Sequence, residues 1–130
     1  MASVLVVDDD KQFRRMAKEI LVQAGYEAAE AQDGQEALSL CQKGSFDLVI
    51  IDIFMPEKDG LEAINELRQD FPDIKVLAIS GGVGKFQVDV LAMAKKFGAH
   101  QTITKPFDVE AFLNSVHAVL EQKAIHGPRD

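Results

Sequence analysis

Residues 46–60 read FDLVIIDIFMPEKDG, and this stretch decides the fold. Its apolar run LVII, rich in β-branched residues, is typical of a strand buried on both faces of a parallel sheet. The run ends on Asp52, and the Pro and Asp-Gly that follow it are typical of a loop. We therefore expect Asp52 at the carboxyl edge of the sheet, where open α/β sheets bind ligands. Taken alone, the stretch fits a solvated strand-terminal acid equally well.

Four further strands and a series of helices are predicted around this stretch. Apolar runs predict strands at 3–7, 26–31, 48–52, 75–80 and 101–104. Helical spacing predicts helices at 11–24, 33–43 and 61–70, a fourth helix that ends near 97–98, and a fifth that is capped by Asp108. Strands and helices alternate with short connections, which predicts right-handed crossovers and a parallel sheet covered on both faces. The expected fold class is three-layer, doubly wound α/β. Alternation alone leaves the strand order open.

Length and composition narrow the class of protein. The 130 residues predict one domain, over 1–123, followed by a flexible C-terminal tail, 124–130, that contains Gly-Pro. A net charge of −7 argues against a nucleic-acid-binding domain. The chain lacks the run of about 18 apolar residues that a membrane span needs. The lone Cys41 permits no internal disulfide, which suits a reducing cytoplasm, and the three histidines lack metal-ligand spacing.

Polar residues follow four of the predicted strands. Asp8 and Asp9 follow the first strand and Asp52 closes the third, so three carboxylates converge if these strands are neighbours. Such carboxylates repel one another, and Mg²⁺ is the natural cation to neutralise them. Ser80 closes the fourth strand and Lys105 follows the fifth, and a hydroxyl and an ammonium suit the oxygens of a phosphoryl group. The set predicts a phosphoryl-transfer site in which one carboxylate is the nucleophile.

Nearly the whole chain resembles the receiver domain of two-component response regulators. The matching stretches are VLVVDDD, LVIIDIFMPEKDG, VLAIS and TKPF. The resemblance implies a flavodoxin-like (βα)5 fold with strand order 2-1-3-4-5, in which the first and third strands are adjacent. It also implies a phosphoprotein of the chemotaxis-regulator type. Because residue 1 is Met and only a short tail follows the last helix, we expect a stand-alone receiver.

The resemblance assigns a role to each acid of the predicted site. Asp52 becomes the phosphoacceptor, and Asp8 and Asp9 hold Mg²⁺ together with Asp52 and the backbone carbonyl of Phe54. The implied donor is a phosphohistidine on a sensor histidine kinase or a histidine phosphotransfer protein, and water later removes the phosphate. Apart from its own phosphorylation and dephosphorylation, the chain is expected to catalyse nothing.

Further expectations concern the remaining residues and the partners. By resemblance, Ser80 and Lys105 bind the phosphoryl oxygens, and Pro106 follows a cis peptide bond. The chain is expected to be cytoplasmic, a monomer or weak dimer, and to contact neither nucleic acid nor membrane. Its downstream target is not identified by the sequence.

Two features depart from the family pattern. Many receivers carry an aromatic or His ring three residues before the Lys, as part of a switch with the Ser or Thr, whereas Thr102 stands there in this chain. The connection after Ser80 begins with Gly81 and Gly82 and looks longer than usual. We therefore hypothesise that this glycine-rich loop carries the signal; a passive flexible connection is the alternative.

Two other functions remain alternatives. Asp8 and Asp10 form the Asp-x-Asp of a haloacid-dehalogenase-like phosphatase, but Gln12 stands where that family has Thr or Val. A degenerate receiver that binds partners without phosphorylation is disfavoured by the complete set of acids, hydroxyl and lysine. The glycine-rich loop matches a nucleotide-binding P-loop poorly, because Phe86 stands where Ser or Thr is needed.

Overall fold

Within the residues that the structure describes, five strands and five helices alternate, as the sequence predicts. The computed structural model describes residues 2–53, 60–80, 86–105 and 107–121. The strands are β1 Ser3–Val7, β2 Glu27–Ala31, β3 Leu48–Asp52, β4 Lys75–Ser80 and β5 Gln101–Thr104. The helices are α1 Lys11–Gln23, α2 Gly34–Lys43, α3 Gly60–Asp70, α4 Phe86–Phe97 and α5 Val109–Glu121. No helix in these ranges is long and apolar enough to cross a bilayer.

All strands are parallel and form one sheet in the order β2-β1-β3-β4-β5. The predicted fold class and strand order are both confirmed. The pairing places Val7 beside Ile51 and Asp52 beside Ile79, so the carboxyl ends of β1, β3 and β4 reach the same edge of the sheet. This order makes β1 and β3 neighbours, which the convergence of their acids requires.

The sheet is buried on both faces, which explains the uninterrupted apolar runs of its central strands. Alternate strand residues face opposite layers. One face packs against α1 and α5 and includes Val4, Val6, Leu48, Ile50, Leu77, Ile79, Ala17, Leu21, Phe112, Val116 and Val119. The other packs against α2, α3 and α4 and includes Leu5, Val7, Val49, Ile51, Val76, Ala78, Ala37, Cys41, Ala63, Ile64, Leu67 and Ala94. Burial raises the pKa of the Cys41 thiol to about 11, which fits a core residue.

Side-chain caps fix the start of α1 and of α5, the helices that follow β1 and β5. The Asp10 carboxylate accepts hydrogen bonds from the N–H groups of Gln12 and Phe13, at 3.0 and 3.3 Å. The Asp108 carboxylate accepts one from Ala111 N–H, at 2.7 Å. These bonds satisfy amides that have no partner inside the helix. The Asp108 cap agrees with the sequence prediction.

The second strand is one residue shorter than predicted. Tyr26 lies outside β2 because its N–H donates to Leu21 O, at 3.0 Å, and so completes the turn that ends α1. Gly25 provides the positive φ of 101° that this turn uses. A requirement of the helix end therefore overrides the strand propensity of tyrosine.

Gly60 is the point of closest approach between α3 and the end of β3. Its N–H donates to Ile53 O, at 2.9 Å. A Cβ at this position would lie 2.5 Å from Ile53 Cα and closer still to Asp52 O. The obstacle is backbone, which cannot rotate away. The glycine therefore allows α3 to start against the strand end that carries Asp52.

Gly60→Ala should destabilise the protein because the new methyl group overlaps backbone atoms. We expect the free energy of unfolding in urea to fall by about 2–3 kcal/mol. Gly44→Ala is the matched control, since a Cβ there meets nothing closer than 3.7 Å, and it should change stability by less than about 0.5 kcal/mol. Equal effects for the two variants would contradict this account of the α3 start.

His100 completes the pairing of β4. Its backbone N–H donates to Val76 O, at 2.8 Å, and its ring Nδ1 accepts from Val76 N–H, at 3.0 Å. Only the neutral ring can accept at Nδ1. Burial, followed by the charges of Arg68 and Lys75, lowers the pKa of His100 from 6.5 to about 4.

The depressed pKa predicts an acid-dependent loss of stability. Because the unfolded chain binds the proton more readily, the stability contributed by neutral His100 is complete above pH 6.5 and is lost as the pH falls towards 4. We expect a loss on the order of 2 kcal/mol relative to His100→Asn, which keeps an acceptor but does not titrate. Urea unfolding of both proteins between pH 7 and 4 measures the difference. A difference that is independent of pH would contradict the prediction.

Candidate functional site

Three carboxylates meet at the carboxyl edge of the sheet. Asp8 directly follows β1, Asp9 comes next, and Asp52 closes the neighbouring β3. One oxygen from each residue lies within 4.8 Å of the others. Asp8 is 1% exposed and Asp52 is 6% exposed, whereas Asp9 is open to solvent. The structure thus brings together the three acids singled out in the sequence.

Lys105 bridges the two buried carboxylates. Its Nζ lies 3.0 Å from Asp8 Oδ2 and 3.2 Å from Asp52 Oδ2. The side chain is held between the acids and solvent, with 25% of its surface exposed. The backbone is fixed as well, because Lys105 N–H donates to Ser80 O, at 2.8 Å. This last bond ties the residue after β5 to the end of β4.

Asp8 is held through both its backbone and its carboxylate. Its N–H donates to Ala31 O of β2, at 3.2 Å, and its Oδ1 accepts from Asp10 N–H, at 2.9 Å. Its carbonyl oxygen accepts from Arg14 Nη1, at 2.8 Å, and the Nε of the same guanidinium donates to Glu30, at 3.1 Å. These bonds fix the turn from β1 into α1, and with it the direction of the Asp8 carboxylate.

Counting the described residues alone, the acids of the site outnumber the cations that pair with them. Three carboxylates and one ammonium give a formal charge of −2. The pKa of Asp8 is raised overall, chiefly by burial and further by the charge of Asp52. The hydrogen bond from Asp10 N–H and the Lys105 ammonium act in the opposite direction and lower it. Burial on its own lowers the pKa of Lys105, but Asp52 and Asp8 more than reverse this, so the ammonium is favoured.

The donor set fits a hard divalent cation. Mg²⁺ prefers carboxylate oxygens and keeps several of its waters, so a few acids near solvent suffice. The oxygens of Asp8, Asp9 and Asp52 are close enough to share one ion, and exposed Asp9 keeps the cluster accessible. A cation here would also relieve the repulsion by Asp52, which adds to burial in raising the pKa of Asp8.

The remaining predicted residues fall into two groups. Ser80 is fully buried at the end of β4, and Thr102 lies in β5 opposite Ala78, where it is partly buried. The residues Phe54, Gly81, Gly82 and Pro106, together with the rest of the glycine-rich loop, lie outside the described residues.

The sequence reasoning missed two residues that contact the site. Arg14 binds the Asp8 carbonyl, and the ring of Phe13 lies 4.1 Å from Lys105 Nζ. Helical spacing identifies Phe13 only as a core position. No local pattern distinguishes Arg14 from the adjacent Arg15, which is exposed. Both contacts depend on how α1 sits against the sheet edge, which is a property of the tertiary structure.

Comparison with known proteins places this geometry in a family. The family model described as response regulator receiver domain matches residues 4–117. The chemotaxis protein CheY of Thermotoga maritima is 38% identical over 117 residues, which cover 89% of this chain and 95% of CheY. The solved structure of CheY4 from Vibrio cholerae superposes with a TM-score of 0.83 at 34% identity, covering 92% of this chain and 98% of CheY4.

A larger relative contains a similar segment. The CAI-1 autoinducer sensor kinase/phosphatase CqsS of Vibrio cholerae is 37% identical over 115 residues, which cover 88% of this chain but only 17% of CqsS. The likeness therefore extends to one segment of a sensor kinase and to nearly the full length of CheY. On the family match and on the CheY likeness together, the chain belongs to the response regulator receiver domain family.

Proposed function

We propose that the chain accepts a phosphoryl group on Asp52 and so acts as a phosphorylation-dependent switch. Receiver domains are in general signalling domains rather than enzymes, and the chain is one of them. The observation that carries the proposal is the Lys105 ammonium shared between Asp8 and Asp52, at 3.0 and 3.2 Å. A cation beside a buried carboxylate is the arrangement that phosphoryl transfer to that carboxylate needs.

The proposed reaction transfers phosphorus from nitrogen to oxygen. An oxygen of Asp52 attacks the phosphorus of a phosphohistidine, the phosphorus–oxygen bond forms, and the phosphorus–nitrogen bond breaks. Its electron pair leaves with the imidazole, which takes up a proton. Water later attacks the acyl phosphate, restoring the Asp52 carboxylate and releasing inorganic phosphate. In each step the Lys105 ammonium stabilises negative charge on the phosphoryl oxygens.

Receiver domains typically bind Mg²⁺ at an acidic pocket, and the Asp cluster fits this chemistry. We propose Asp8, Asp9 and Asp52 as its protein ligands, with the backbone carbonyl of Phe54 as a fourth. When bound, the ion supplies positive charge that neutralises phosphoryl oxygens. Lys105 is not among the proposed ligands of the ion, so its ammonium can contact the same phosphoryl group from the side of β5.

The conformational signal is proposed to start at Ser80. Ser80 is the last residue of β4, which pairs with β3. The phosphoryl oxygens on a phosphorylated Asp52 would therefore be offered to the Ser80 hydroxyl. Drawing this hydroxyl inward would shift the connection that begins at Gly81 and Gly82. Thr102 is too small to act as the swinging ring of related switches, so the loop itself is proposed to transmit the change.

Receiver domains interact with histidine kinases and with downstream effectors. For this chain we propose a sensor histidine kinase or a histidine phosphotransfer protein as donor, and a protein rather than nucleic acid or membrane as target. The receiver would span 1–123, with 124–130 as a tail and Pro106 as a structural residue after a cis bond. A donor phosphorylated from ATP implies a cytoplasmic location, and a monomer or weak dimer suffices for this role.

Phosphorylation of Asp52 can be tested by intact mass. Incubation with Mg²⁺ and acetyl phosphate should add the mass of one phosphoryl group to the wild type and none to Asp52→Asn. Lys105→Ala should be phosphorylated roughly 100-fold more slowly, because the cation beside the reacting oxygens is lost. Exposed Lys43→Ala is the matched control and should react like the wild type.

Three results would contradict the proposal. An unmodified wild type indicates a degenerate receiver that binds partners without phosphorylation. A phosphate retained in Asp52→Asn places the nucleophile elsewhere. Continuous turnover of phosphate esters, without accumulation of the modified protein, indicates a haloacid-dehalogenase-like phosphatase.

The proposed metal site predicts that Mg²⁺ changes the relative stability of the wild type and Asp8→Asn. Burial, with a contribution from Asp52, raises the pKa of Asp8, so its ionised carboxylate lowers stability, and in EDTA Asp8→Asn should unfold at a higher temperature than the wild type. Mg²⁺ at about 100 times its Kd should stabilise the wild type by roughly 2.7 kcal/mol and the variant much less. Exposed Asp73→Asn should respond to Mg²⁺ as the wild type does. An equal response of Asp8→Asn to Mg²⁺ would remove Asp8 from the proposed site.

A further inference from the structure

Three phenylalanine rings connect the core to the candidate site. Phe112 of α5 is fully buried, and Phe107 stacks on it with ring centres 5.4 Å apart and planes 7° from parallel. Phe13 of α1 meets Phe107 edge-to-face, with centres 6.0 Å apart and planes at 82°. Both arrangements suit the ring quadrupole. The series fixes the Phe13 ring from the side of the core.

The Lys105 ammonium contacts Phe13, the ring at the end of this series that lies farthest from the core. Its Nζ lies 4.1 Å from the centre of the Phe13 ring, within the range of a cation–π contact. The same nitrogen is bonded to Asp8 and Asp52. The ammonium therefore has three neighbours that favour its position, two carboxylates and one aromatic ring.

We propose that Phe13 is a positioning residue for Lys105 in phosphoryl transfer. The inference rests on the proposed function, in which Mg²⁺ and the phosphoryl group take up the oxygens of Asp8 and Asp52. Those two acids are then engaged elsewhere and hold the ammonium less firmly. A hydrocarbon ring binds no metal and accepts no phosphoryl group, so its attraction for the ammonium persists throughout the reaction.

The geometry makes the ring more than a packing residue. A flexible lysine has four rotatable side-chain bonds, and confining it costs conformational entropy in every state in which it is held. The Phe13 ring, itself confined by Phe107, supplies a fixed surface against which the ammonium rests. A leucine at position 13 would fill much of the space but lacks the quadrupole that attracts a cation.

Substitution at position 13 gives the first test. Phe13→Leu should lower the rate constant for phosphorylation by acetyl phosphate about fivefold, since a partly desolvated cation–π contact is lost. Phe13→Tyr keeps the ring face and should stay within about twofold of the wild type. Phe71→Leu removes a ring that packs against the other core and serves as the control for general loss of aromatic packing. A rate for Phe13→Leu equal to that of Phe71→Leu would overturn the proposal.

Fluorination of the ring separates electronics from packing. Phe13 can be replaced site-specifically by mono-, di- and trifluorophenylalanine, which keep nearly the same shape but progressively weaken the negative ring face. The logarithm of the phosphorylation rate should then decrease in step with the number of fluorines, at unchanged thermal stability. A flat series would overturn the proposal even if Phe13→Leu proves unstable.

A second readout does not require phosphorylation. The ring current of Phe13 should shift the side-chain CH₂ proton resonances of Lys105 upfield in the unphosphorylated protein, and Phe13→Leu should remove the shift. If the wild type were never phosphorylated, the proposed function would fail while this contact could still be measured. If the wild type were phosphorylated normally and the Lys105 resonances were unshifted, the role of Phe13 alone would fail.

Discussion

The Lys105 ammonium between Asp8 and Asp52 is the interaction on which the rest of the site depends. Among the described residues, this ammonium pairs with both buried acids and offsets part of the repulsion between them. With it, the acids remain close enough to share a metal ion, yet the compensation is incomplete. Because of this residual negative charge, a further cation bound at the site would stabilise the folded protein. The same site thus affects both stability and function.

Sheet topology is what creates this interaction. The order β2-β1-β3-β4-β5 places the ends of β1 and β3 side by side, and β4 and β5 bring Ser80 and Lys105 to the same edge. Gly60 allows α3 to start directly against the end of β3. Residues far apart in sequence thus meet because parallel strands share one carboxyl edge, which is the general reason why such edges bind ligands.

The sequence predicted much of the fold and of the site, and the exceptions have physical causes. Apolar runs and strand-terminal acids are local patterns, so the strands and the candidates Asp8 and Asp52 could be read directly. Strand order came from a family resemblance, because alternation does not determine it. Tyr26 was misplaced because a helix-ending turn competed with strand propensity, and Phe13 was not assigned to the site because its cation partner, Lys105, is far away in sequence.

Our central proposal is that one carboxylate, Asp52, receives the phosphoryl group under the control of Lys105. A crystal structure of the protein grown with Mg²⁺ and beryllofluoride, which mimics an aspartyl phosphate, tests this most directly. We expect beryllium bonded to an Asp52 oxygen, Lys105 Nζ in contact with a fluoride, and the metal at Asp8 and Asp9. Beryllofluoride on another residue, or Lys105 turned away from it, would contradict the account.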